Sequence, residues 1–153
     1  MAVEPVGTVV ARSEHATISV VELRTYADGC VIEVEASAST GTSDPGEVLR
    51  SGMSPTPGDG ETAAPPAVLR FSVRLADGSV ATTLDHPLVP ASEPARPYFA
   101  ALGGPGFGID GNQLRTRQAL WLWPAPADRF DLVVEWPLFD IAETIVPLAI
   151  PGN

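Results

Sequence analysis

The tripeptide Ala-Asp-Gly occurs twice in this chain, each time between two alternating runs: LRTYADGCVIEVEA over residues 23–36 and LRFSVRLADGSVATTL over residues 69–84. Asp-Gly flanked by alternating apolar and polar residues is a strong local signal for a β-hairpin, because glycine accepts the positive φ that a tight turn demands. Two such units commit the chain to antiparallel β-structure. The pattern says nothing about what the protein does.

The strands on either side follow from side-chain alternation. VGTVVAR reads as a short first strand. In ATISVVELRTY, Ile18 and Val20 share one face while Val21 and Leu23 share the other, a switch that predicts a β-bulge or a crossing between sheets. After the first Asp-Gly, Cys30, Ile32, Val34 and Ala36 are expected to point inward, with Glu33 and Glu35 outward. Leu69, Phe71, Val73 and Leu75 alternate with Arg70, Ser72 and Arg74, so one face of that sheet is expected to meet water. The last third contributes QALWLWP, FDLVVEW and ETIVPLAI. Pro147 lacks a ladder donor and places its run at a sheet edge or in a bulge.

Between these runs the chain changes character. Residues 39–66 are rich in Ser, Thr, Gly and Pro and read as a flexible loop; residues 87–113 read as a second long loop pinned to the body by Tyr98, Phe99 and Phe107. With 153 residues, 44% of them hydrophobic, the chain is long enough for one domain with a sizeable core. Its 16 prolines and 14 glycines favour turns over long helices. The expected fold is all-β: one antiparallel two-sheet β-sandwich of immunoglobulin-like kind, with about eight strands and two long loops. A small open barrel is the alternative.

Charge narrows the partners. The net charge is −10, and every basic residue is arginine. A chain this acidic, without a basic stripe, repels phosphate backbones and anionic membranes, so neither nucleic acid nor membrane is an expected partner. No run approaches the roughly 20 apolar residues of a membrane helix, and the N-terminus lacks the basic and apolar regions of a secretory signal. A cytoplasmic location is the expectation. Cys30 stands alone among inward-facing positions and reads as a buried, inert thiol.

No catalytic constellation stands out. His15 falls in a turn, and His86 adjoins Asp85 on an extended segment, where neighbouring side chains point to opposite faces. One cysteine and two scattered histidines do not make a zinc site, and Asp110-Gly111-Asn112 lacks the spacing of a calcium loop. The run GGPGFG over residues 103–108 has a proline where a phosphate cradle needs an N–H, and no lysine follows. No cofactor is expected.

The most unusual residues are the tryptophans. In Leu120-Trp121-Leu122-Trp123 the leucines occupy one strand face and the indoles the other, so the strand is either buried on both faces or presents one to a partner. Trp121, Trp123, Tyr98 and Phe107 are the candidate contact residues. Arg115 and Arg117 are candidates to stack on the indoles or to pair with an acidic partner. The leading expectation is a non-enzymatic module that binds another protein or itself. A ligand- or carbohydrate-binding sandwich and a small enzyme using Asp85, His86 and Glu135 are the alternatives.

The blocks VLRFSVRLADGSVATTLD, GGPGFG and LWLWPAPADRFDLVVEWPLFDIAET resemble a group of uncharacterised actinobacterial proteins. That group shares F-x-V-x-[FL]-A-D-G, a glycine-rich loop, W-x-W-P and E-W-P-x-x-x-I. The resemblance covers residues 68–146 and the first Ala-Asp-Gly hairpin. It implies a β-rich architecture in which Asp85, Trp121, Trp123, Glu135 and Trp136 recur, and it brings no function with it.

Overall fold

The computed structural model describes residues 2–42, 69–83, 97–101, 106–126 and 128–150. The expected loop over 39–66 and the Asp85-His86 pair therefore fall largely or wholly outside the described residues. Ten strands are described: β1 (Ala2–Arg12), β2 (Ala16–Thr25), β3 (Cys30–Ser39), β4 (Arg70–Leu75), β5 (Val80–Thr82), β6 (Tyr98–Ala101), β7 (Gly106–Asp110), β8 (Gln113–Trp123), β9 (Arg129–Trp136) and β10 (Ile141–Ala149). They form two antiparallel sheets and no closed barrel. The larger runs β1-β2-β3-β8-β6, with β7 also pairing β8, and the smaller runs β10-β9-β4-β5. The two sheets touch at their rims, β1 against β10 and β5 against β6.

Two strands were not legible as such. The second predicted loop contains β6 and β7, which make consecutive segments of one sheet edge against the long β8. Proline and glycine hide them in the sequence, and each is too short to show its own alternation. The turn Gly111-Asn112 after β7 is the ordinary turn expected there, with Gly111 at φ +60°.

For β3 and β4 the core lies where the alternation places it, and β9 adds its own inward residues. Cys30, Ile32, Val34 and Ala36 of β3 meet Phe71 and Val73 of β4 and Phe130, Leu132, Val134 and Trp136 of β9 in one cluster. Burial pushes the Cys30 thiol up to about 12, which makes it inert at neutral pH. The change of face in β2 is a register shift between Val20 and Glu22: Ile18, Val20 and Leu23 all stay inside because Val21 is the extra residue. Pro147 lies in β10 and Pro5 in β1, both edge strands, where a missing donor costs no ladder bond. The E-W-P-x-x-x-I block is the β9–β10 connection. Trp136 is fully buried and meets Phe139 edge-on at 4.6 Å, across a 3₁₀ turn (Pro137–Phe139) that ends with Asp140 at φ +59°.

Candidate functional site

The outward face of the larger sheet carries the candidate residues. Partners in an antiparallel ladder share a face, so the register builds this surface row by row. Arg24, Val31, Trp121 and Ala100 form one row across β2, β3, β8 and β6, and Trp123 stands opposite Tyr98 in the next. Further along, Glu33 lies opposite Ala119, Glu35 opposite Arg117, and Ser37 opposite Arg115. The face thus divides into an aromatic end and an ionic stretch.

At the aromatic end, Leu120 and Leu122 are fully buried while Trp121 and Trp123 are half-buried, as are Tyr98 and Pro124. Tyr26, which the sequence did not single out, meets Trp121 edge-on with ring centroids 6.1 Å apart and is 39% exposed. Trp121 also lies over the first Ala-Asp-Gly turn. A methyl group at Gly29 would sit 2.6 Å from Cη2 of its indole and 2.5 Å from the Leu122 carbonyl oxygen. Asp28 accepts a hydrogen bond from the Ala125 N–H at 3.1 Å, which ties that turn to the end of β8. Trp121 therefore has a packing role, while Trp123 and Tyr98 form the remainder of the surface. Tyr26 was missed because only the β3–β8 pairing brings it beside Trp121.

The ionic stretch is internally compensated. Arg117 Nε donates to Glu33 Oε1 at 2.8 Å and Arg115 Nε lies 3.3 Å from Glu35. Arg24 reaches Glu22 at 3.8 Å and Glu33 at 3.9 Å. The hydrogen bond and charge of Glu33 raise the Arg117 guanidinium further above its ordinary range. Arg115 and Arg117 thus answer the carboxylates of β3 and do not wait for an external acid. Phe107 stands opposite Thr116 in the β7–β8 register; its side chain lies outside the described residues.

Of the enzyme alternative only Glu135 is described, since Asp85 and His86 lie outside the described residues. Glu135 is on the outward face of the smaller sheet, paired with Arg70 at 3.2 Å. His15 is in the exposed β1–β2 turn, 3.9 Å from Glu14. Three open clefts of described residues measure about 480, 400 and 370 Å³. The largest is lined by Ser37, Asp110, Gln113 and Arg115, and none of the three is lined by Trp121, Trp123 or Tyr98. No protein-family model, curated protein or solved structure matches the chain.

Proposed function

We propose that this protein is a non-enzymatic binding module whose contact surface is the aromatic end of the larger sheet's outward face. The observation that carries this reading is the arrangement around Trp123: two indoles and two tyrosine rings, partly exposed on the outward strand face and bordered by compensated ion pairs. Large amphipathic rings within a polar rim are the usual make-up of a protein-contact hot spot. None of the three described clefts is lined by these rings, whereas a small ligand gains most from a concave site that encloses it, which favours a protein over a sugar or other small ligand. The cytoplasmic location suggested by the sequence belongs to the same proposal; among the described residues no helix is long and apolar enough to cross a membrane.

The test is Trp123→Ser, shown to be folded by circular dichroism and compared with the wild type as bait for protein partners. A stoichiometric partner held by the wild type and lost by the variant is the expected outcome. A partner held equally by both places the contact elsewhere. Release of the bound partner by free monosaccharides would turn the reading toward a carbohydrate site.

A further inference from the structure

One arginine of the larger sheet stands apart from the rest. Arg24, Arg115 and Arg117 each reach a glutamate, at 3.8, 3.3 and 2.8 Å. Arg12, at the end of β1, reaches no carboxylate among the described residues, although acids outnumber bases 19 to 9 in this chain. Its neighbours across the ladder are hydroxyls. The register runs Arg12, Thr17, Ser37, Arg115 over β1, β2, β3 and β8, and ladder partners share a face. Three strand spacings put the two arginine positions about 14 Å apart, with two hydroxyls between them. The next row adds Ser39 and Gln113.

A cleft of about 370 Å³ lies over this corner, lined by Arg12, Ser13, Thr17, Ser37, Ser39 and Gln113, and its volume falls among those of small-ligand sites. It shares Ser37 and Gln113 with the cleft of about 480 Å³ that contains Asp110 and Arg115, so the two adjoin as one trough. The Ser13 hydroxyl is buried there without a hydrogen-bond partner. Buried polar atoms are as a rule satisfied, by protein, water or a bound group. The guanidinium, four hydroxyls and one amide of the smaller cleft come from β1, the following turn, β2, β3 and β8. Donors from that many segments suit a tetrahedral oxyanion, whose oxygens diverge, better than a planar carboxylate.

We propose that this trough is a second binding site, for the phosphoryl group of a small ligand, held by Arg12 and the hydroxyls of Ser13, Thr17, Ser37 and Ser39. It lies six residues along β3 from the row of Val31 and Trp121, about 20 Å, and so acts apart from the aromatic surface. The net charge of −10 opposes a polyanion along its whole length. A single phosphoryl group senses chiefly its near neighbours, because charges beyond about 8 Å are screened at physiological ionic strength. Glu14 is the one carboxylate among the described residues lining the smaller cleft; its side chain is 87% exposed and lies 3.9 Å from His15 Nε2. Its charge opposes the ligand, which gives the test a variant of opposite sign.

Inorganic phosphate and glycerol 3-phosphate, each titrated into the full chain at constant ionic strength and followed by amide NMR shifts, test this. Saturable shifts are expected at Thr17, Ser37 and Gln113, with none at Trp121 or Trp123. Arg12→Gln, at an exposed strand end, should weaken binding about tenfold or more. Glu14→Gln should strengthen it, and Trp123→Ser should leave it unchanged. Tighter binding of the ester assigns the site to a phosphorylated small molecule and equal binding to the free anion; both support the proposal. No saturable shift with either probe at tens of millimolar overturns it. So does an affinity that neither Arg12→Gln nor Glu14→Gln changes, or acetate binding as tightly as phosphate. Should Arg12→Gln fail to fold, Glu14→Gln decides alone: tighter binding supports the site and unchanged binding overturns it.

Discussion

The two Ala-Asp-Gly hairpins share a tripeptide and use its glycine for opposite reasons. In the second, the Gly78 N–H donates to the Leu75 carbonyl at 2.9 Å and the Leu75 N–H donates to the Ser79 carbonyl at 2.8 Å. Ala76-Asp77-Gly78 is thus a three-residue loop with Gly78 at φ +89°, and no atom lies near enough to obstruct a side chain there. In the first, the Tyr26 N–H donates to the Gly29 carbonyl at 2.8 Å, so Ala27-Asp28 is the loop and Gly29 closes the ladder without positive φ. That glycine is needed because the Leu122 carbonyl and the Trp121 ring leave no room for a methyl group. The positive φ expected for both turns holds only for the second. Identical local sequence thus conceals one requirement set by the backbone and another set by a strand nearly a hundred residues away.

Substitutions separate the two requirements. Gly29→Ala has the largest expected effect, about 2–3 kcal/mol of destabilisation, because a backbone oxygen must move. For a domain of this size that is a fall in Tm of roughly 6–10 °C by calorimetry. The same variant should hasten labelling of the adjacent Cys30 by a thiol reagent, whereas the wild-type thiol, fully buried, reacts slowly. If Gly29→Ala melts like wild type, the close approach of β8 has no energetic weight.

Trp121→Ala comes next, at about 1–2 kcal/mol for the lost ring packing on Tyr26 and Gly29. Combined with Gly29→Ala, it should cost less than the sum of the two, since the ring clash is removed while the Leu122 clash persists. Strict additivity in that cycle would mean the indole does not constrain the turn.

Gly78→Ala should cost about 1 kcal/mol, from the positive φ alone, and Gly78→Asn less, because asparagine tolerates the left-handed region. Asparagine at position 29 should bring no such relief. Equal effects of alanine and asparagine at both sites would erase the distinction between the hairpins.

The smallest effect concerns acid. The Asp77 carboxylate accepts hydrogen bonds from the Ser79 hydroxyl at 2.5 Å and the Ser79 N–H at 2.8 Å, which hold its carboxyl below the ordinary range. A folded-state value lower than the unfolded one stabilises the fold above the unfolded value, and that contribution is lost as pH falls through the folded one. Asp77 is fully exposed, so the contribution is small. An NMR titration should find the Asp77 carboxyl depressed in the wild type and restored toward normal in Ser79→Ala.

The candidate site shows the same division between near and far. Alternation alone separates Leu120 and Leu122 from Trp121 and Trp123, and the structure places them on the two faces accordingly. The partners of those indoles are another matter. Tyr26 joins Trp121 through the β2–β3–β8 pairing, and Tyr98 joins Trp123 through a four-residue strand set among prolines and glycines. The glutamates that occupy Arg115 and Arg117 lie on β3, some eighty residues earlier.

The sequence by itself determined the β class, the two hairpins and the inward faces of β3 and β4, and it narrowed the change of face in β2 to a bulge or a crossing and Pro147 to an edge or a bulge. Each of these depends on the period-two geometry of a strand or on the φ and donor limits of single residues, and both act within a few positions. Only the tertiary structure decided that β6 and β7 exist, why Gly29 is glycine, and which side chains surround the tryptophans. Those outcomes depend on which strand pairs with which and in what register. That choice is made by burial summed over the whole core, and no short stretch of the chain contains it.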